Sequence, residues 1–544
     1  MTSAAAGESA RVLPNAGPWS LRHPQTKEFL WWCAPALLLG LILRAVITWQ
    51  MPYGYMQFDS ADFLFTAATF FERHHVSIHS KRTFLVPLLY TIPFILHLPA
   101  LIFIPIAQHL SGLGVVLMSG ALVRLWLAPW RWVILPVTLL IAANPVLLWY
   151  EHALMSESAY LFFVFALALA GTLYTQQPTR RHFILVLVAL FFTAAARPEG
   201  RLLLGFGFPL LVFVQWGQWK VLWPRLAWLT GVVIVTLIVT TTHQAGQLLY
   251  ATVISLAPDE SKVDPEFGRM VLPLRDEVRS LYGGVPKKLQ GLEKRLSDMS
   301  DVYLKSKGEK DPDGNSLCQK MAIEACLNHP GALPGLAARK FLLAVKFPAS
   351  VGYDEPRLSK KLNIGFNRKG QLDTLSKGLV GQELKDTAAV ADFVREHYHP
   401  MLWYRSIDRA WEWFTVGSFD DDEDAFIPTI PPVPIFYRCA LVALAIVLVM
   451  PGPFQKFHFA WIVSLAVLWF AVAMTGVNNP RYRYVFEPFC LIYLFVAVVL
   501  VGQQIARWFG KRAGQTRGDA ETSGHELSPS DHLSKPSFAP SPSL

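Results

Sequence analysis

The sequence predicts an all-α polytopic membrane protein with about ten transmembrane helices. Three observations predict it. Hydrophobic residues make up 53% of the 544 positions and charged residues only 16%, where a soluble domain carries about 25% charge. Several apolar runs reach the roughly 20 residues that cross about 30 Å of hydrocarbon. The basic residues between those runs fall into alternate loops, as the positive-inside rule requires.

The elements follow in chain order. Residues 1–28 are polar and form an N-terminal segment holding Arg11, Arg22 and Lys27. The run 29–49, interrupted only by Arg44, is long enough to be a retained span rather than a signal-peptide core. Further spans are expected at 101–127, 132–149, 159–175, 183–196, 202–214, 226–242, 434–450, 457–474 and 485–509. The stretch 84–98 is apolar but interrupted by Pro87 and Pro93. If it crossed, the basic loops would change sides halfway along the chain. If it lies on the outer surface, the N-terminus, Arg124, Arg131, Arg180, Arg181, Lys220, Arg225, Lys456, Arg507, Lys511 and Arg512 all face the cytoplasm.

Two outer regions follow, 50–100 and 248–431. The spans and first loop make a module over 29–247, and 432–509 adds the last helices. Within the large loop, Leu333, Leu336, Ala337, Phe341 and Val345 recur at helical spacing, with Lys340 and Lys346 placed to snorkel. The tail over 510–544 is rich in Ser and Pro and is expected to be disordered. Cys318 and Cys326 are eight residues apart, about 12 Å on one helix, too far for a disulfide. The net charge of +9 follows the loop pattern, so no nucleic-acid partner is implied.

Polar residues near membrane depth mark cavities, and this topology puts each cluster on the outer side. Phe58-Asp59-Ser60-Ala61-Asp62-Phe63 opens a helix running to about Arg73, with Asp59 and Asp62 able to share a face; Asp59 also reads as its N-cap. His79-Ser80-Lys81-Arg82-Thr83 precedes the surface helix and also suits interfacial anchoring. His74, His75 and His79 lack a carboxylate at ligand spacing, which weakens a metal reading. Tyr150-Glu151-His152 leads to Met155-Ser156-Glu157, where Ser156 can cap the next helix and Glu157 suits its first turn. Arg197-Pro198-Glu199-Gly200-Arg201 lies between short apolar runs, so this turn sits below the surface, where irregular backbone needs protein or water around it; an Arg–Glu pair bracing the bundle explains it equally well. In Asn478-Asn479-Pro480-Arg481-Tyr482-Arg483, Asn479 reads as an N-cap and Pro480 as N1. Two arginines in that first turn oppose the helix dipole unless an anion binds there. Glu487 could relieve part of the conflict.

These clusters, in this order, resemble the GT-C superfamily of integral membrane glycosyltransferases. The similarity is to RgtA/B/C/D-like bacterial members, related to protein O-mannosyltransferases and the lipid A aminoarabinose transferase. It is strongest over 30–215 and returns at Pro480-Arg481-Tyr482-Arg483. Phe63 stands where many relatives have Tyr, and the acidic pair is split by Ser60-Ala61, so either Asp59 or Asp62 is the base. The resemblance implies transfer of a sugar from a polyprenyl-phosphate donor to a hydroxyl of a lipid, glycan or protein acceptor. The reaction would occur on the periplasmic side of a bacterial inner membrane, with both termini cytoplasmic. Asp59 is assigned as base and Asp62 as its understudy. Glu157 would position the base, the acceptor or a divalent metal; no other cofactor is implied. Arg82, Arg197, Arg481 and Arg483 would hold the phosphate, and a membrane-level groove would admit the prenyl chain. Rival readings are a transporter or flippase, against which no repeated halves are found, and a polymerase or ligase using a pyrophosphate-linked glycan.

Overall fold

The computed structural model describes residues 24–55, 60–73, 83–128, 130–240, 246–280, 289–309, 313–346, 376–382, 387–397, 402–415, 433–450, 454–475 and 483–522. Every regular element among them is helical, and β pairing is limited to an isolated parallel bridge between Tyr55 and Ala153. The helices are α1 (Pro24–Gln50), α2 (Ser60–Arg73), α3 (Leu85–Ile95), α4 (Ala100–Trp126), α5 (Ile134–Ala142), α6 (Pro145–His152), α7 (Glu157–Gln176), α8 (Arg180–Ala196), α9 (Gly207–Val214) and α10 (Trp219–Thr240). Then come α11 (Gly246–Val253), α12 (Pro265–Ser280), α13 (Leu289–Ser306), α14 (Gly314–Asn328), α15 (Leu333–Lys346), α16 (Ser376–Val380), α17 (Thr387–Glu396), α18 (Leu402–Thr415), α19 (Ile435–Val449), α20 (Gln455–Thr475) and α21 (Arg483–Thr522).

Six of the described helices are long and apolar enough to cross a bilayer: α1, α4, α7, α10, α20 and α21. They make the chain an integral membrane protein. The run expected at 132–149 is instead a pair, α5 and α6, bent by 51°. Pro145 causes the break: it pushes Asn144 into extended backbone, and the Asn144 side chain then caps α6 by accepting from Leu147 N at 3.2 Å. The runs expected at 183–196, 202–214 and 434–450 are also helical, in helices shorter than those six. The first is α8, the second a 3-10 segment Pro198–Phe206 running into α9, and the third α19. Along α10, Trp228, Ile234 and Ile238 face outward, as residues in contact with hydrocarbon must.

The segment 84–98 contains only the 11-residue α3, about 16 Å of helix and too short to cross. It packs on α2 and α4. Its end is closed by a Schellman turn in which Leu98 N donates to Pro93 O and His97 takes positive φ.

α4 runs through the bundle beside α1, α5, α6 and α7, and α7 packs along α8. A second core, with Phe267, Leu296 and Met321 at its heart, joins α11–α15 into a helical unit of its own. Cys318 and Cys326 both lie on α14 and both are free thiols. Two expectations are corrected. Lys340 does not snorkel: it is 1% exposed, because its face of α15 is the one turned to the protein, where α15 packs on α20. The C-terminal helix does not stop at residue 509 but continues to Thr522, since Ala, Gln, Arg and Lys after Phe509 are good helix formers.

Candidate functional site

Of the seven residues singled out, Asp62, Glu157 and Arg197 have described side chains. Asp59, Arg82 and Arg481 lie outside the described residues, as do Asn479 and Pro480. Arg483 is described as the first residue of α21 and no further.

The site is assembled around the turn before α7. Tyr55 N donates to His152 O at 3.0 Å, and Leu154 N donates back to Tyr55 O at 2.9 Å. Gly54 N donates to Leu101 O at 2.7 Å. The loop leaving α1 is thereby clipped to the Ala153–Met155 turn a few residues before α2 begins at Ser60. From α2, Phe63 is buried with Leu154 and packs against Tyr90 of α3, ring centroids 6.1 Å apart. Asp62, one residue earlier, is partly exposed. Two side chains hold the turn from the other side. Tyr90 Oη donates to Met155 O at 3.0 Å, and Gln108 Nε2 of α4 donates to the same oxygen at 2.7 Å. Ser156, expected to cap α7, makes no side-chain cap bond; the turn relies on Tyr90 and Gln108 instead.

Glu157 follows this turn and is fully buried. Its carboxylate lies 2.5 Å from Arg197 Nη1 as a charge contact without good hydrogen-bond alignment. Arg197 Nε and Nη2 donate to Glu199 at 3.1 and 3.2 Å. The guanidinium also faces the rings of Tyr160 and Tyr484, 5.9 Å to each centroid, a cation–π arrangement. Arg197 is therefore held between two carboxylates and two aromatic rings, and much of its charge is already matched. Glycine at 200 is required: a Cβ there would lie 2.1 Å from Thr193 O of α8. The 3-10 turn thus presses onto α8, which buries its irregular backbone inside protein.

Tyr484 is the residue after Arg483, so the start of α21 meets the same centre. Glu487 faces elsewhere as well, accepting from Tyr437 Oη at 2.8 Å and Trp411 Nε1 at 3.2 Å. It ties α21 to α18 and α19. The surface-helix end arrives too: Phe84 lies 6.4 Å from Phe191 of α8. Phe191 lines an apolar groove of about 750 Å³ between α8 and α10, with Leu187, Phe192, Pro224 and Trp228.

No protein-family model matches the chain, and no curated protein and no solved structure matches it either.

No group of three His, Cys, Asp or Glu side chains among the described residues is placed to hold a metal ion. Arg44, Glu151 and His152 stand out in the sequence, but their pairing does not, and His109 is not evident there at all. Arg44 pairs with Glu151 through Nε to Oε2 and Nη2 to Oε1, both 2.7 Å and both buried. His109 bridges Glu151 and His152. The signal that could have found the pair is the lone charge inside the first span, since a buried arginine in hydrocarbon demands an acid. Nothing in the sequence says which acid it takes.

Proposed function

We propose that the chain is a glycosyltransferase that moves a sugar from a polyprenyl-phosphate donor to an acceptor hydroxyl at the outer membrane face. One observation carries the reading: motifs far apart in sequence converge. The loop before Asp59 is clipped to the turn before Glu157. Glu157 is paired with Arg197, and Arg197 faces the tyrosine that follows Arg483. A transferase needs such a meeting of acids and cations near one membrane level. The groove between α8 and α10 supports it further, since it offers an apolar channel beside Phe84, two residues from Arg82.

In this reading the chain crosses ten times, counting the bent pair and the shorter helices, with both termini cytoplasmic. A carboxylate, Asp59 or Asp62, takes the acceptor O–H proton as that oxygen bonds to the anomeric carbon. The anomeric carbon–oxygen bond to phosphate breaks, and polyprenyl phosphate leaves with the electron pair. Arg82, Arg481 and Arg483 stabilise the leaving phosphate. Arg197, already engaged by two acids, positions Glu157 instead of holding phosphate. The test is release of polyprenyl phosphate from a labelled prenyl-phosphate sugar by the purified chain in lipid. One of Asp59→Asn and Asp62→Asn should cost about 10²–10⁴-fold in rate. Full activity in both variants would end this assignment.

A further inference from the structure

Two imidazoles sit between two groups that can only accept. His109 Nδ1 lies 3.1 Å from Glu151 Oε2, and His109 Nε2 lies 3.1 Å from His152 Nδ1. His152 Nε2 lies 3.2 Å from the Tyr53 carbonyl oxygen. The three contacts need three N–H hydrogens, because the carbonyl and an ionised carboxylate bring none. Two neutral imidazoles carry only two. The Arg44 guanidinium donates to both Glu151 oxygens at 2.7 Å, so each already takes a hydrogen from Arg44, and Arg44 Nη1 also donates to Gly40 O and Ala142 O at 3.0 and 3.3 Å. The carboxylate is also fixed in place, since a side chain at Gly112 would lie 1.9 Å from Oε1. The missing hydrogen therefore belongs to the imidazole pair.

We infer that Arg44, Glu151, His109 and His152 form a buried chain that holds one dissociable proton and, through it, fixes the Met51–Tyr55 loop leading to the acidic motif. The chain ends on Tyr53, and the adjoining backbone of Gly54 and Tyr55 is what clips that loop to Leu101 and His152. His109 and His152 are thus positioning residues for the reaction proposed above, and their role in transfer rests on that reading. The elements packed around the pair carry the titratable groups Arg44 on α1, Tyr90 on α3, Glu151 on α6, Glu157 on α7 and Tyr404 on α18, whose hydroxyl donates to Pro145 O. Of these only Glu151 touches an imidazole of the pair. As pH rises the pair loses its added proton, two lone pairs then face each other at one contact, and the chain opens there. Gln at position 151 removes the negative charge that Arg44 Nε and His109 Nδ1 both face at Oε2, so the pair holds its added proton less tightly and gives it up at lower pH.

Histidine-selective ¹⁵N NMR of the full-length chain in lipid nanodiscs reads the proton directly, with His109→Gln and His152→Gln assigning the signals. The expected result is three ring N–H hydrogens on the pair at neutral pH and two at alkaline pH, with the third lost at lower pH in Glu151→Gln. Two N–H hydrogens at every pH in the wild type would overturn the inference. Amide exchange at Gly54 and Tyr55, corrected for intrinsic rate, should quicken as the proton leaves, and do so at lower pH in Glu151→Gln; equal protection across the titration would also overturn it. Turnover gives a further readout. Loss of the proton should lower kcat by about 10²-fold through misplacement of the carboxylate with little change in donor KM. If no transfer activity exists, the glycosyltransferase reading fails, while the NMR and exchange results still decide the proton chain.

Discussion

Lys340→Met should stabilise the α11–α15 unit at neutral pH, and the size of the effect follows from burial. Lys340 is 1% exposed and its Nζ has no hydrogen-bond partner. Burial pulls its pKa down from 10.5 to about 7, because the ammonium loses water and gains no counter-charge. Between those two values the unfolded chain binds more protons than the folded one. Stability therefore rises as pH climbs from about 7 to about 10.5. At about 1.4 kcal/mol per pH unit, the buried charge costs on the order of 5 kcal/mol below that window and nothing above it. Methionine has similar length and no charge to desolvate, so it removes both the cost and the slope. The assay is hydrogen exchange of α14 and α15 amides, with thermal unfolding, across that pH range in lipid. Stability that falls with rising pH in the wild type, or a methionine variant no more stable at neutral pH, would refute the burial argument.

Breaking the Arg197–Glu157 contact should be costly from either side. Arg197→Met should destabilise by about 3–5 kcal/mol by leaving a buried carboxylate without its cation, and Glu157→Gln in the same chain should recover part of that. Additive thermal shifts in this double-mutant cycle would show that the two side chains are not coupled. Gly200→Ala should cost about 1–3 kcal/mol, since the new Cβ drives against Thr193 O, while Gly205→Ala, with open space at its Cβ, should be neutral. Equal melting temperatures for the two alanine variants would remove the close-packing explanation of that turn.

The sequence determined the kind of protein. Runs of apolar residues favour helices, because hydrocarbon leaves the backbone no other partner, and the expected runs are mostly helical where described, six of them in helices long enough to cross. It also marked polar clusters that lipid would not tolerate, those holding Asp62, Glu157 and Arg197, and the structure joins the last two. What sequence could not supply was pairing. A local reading of Ser156 as a cap was overruled by Tyr90 and Gln108, which reach Met155 O from two other helices. Lys340 looked able to snorkel, yet its face of α15 turns inward, a matter of which side meets α20. Arg44 was visible only as an interruption, and its acid lies 107 positions away. Such contacts depend on helix order and rotation in the bundle. Those are decided by the sum of many small packing terms spread over the chain, and only the tertiary structure adds them up.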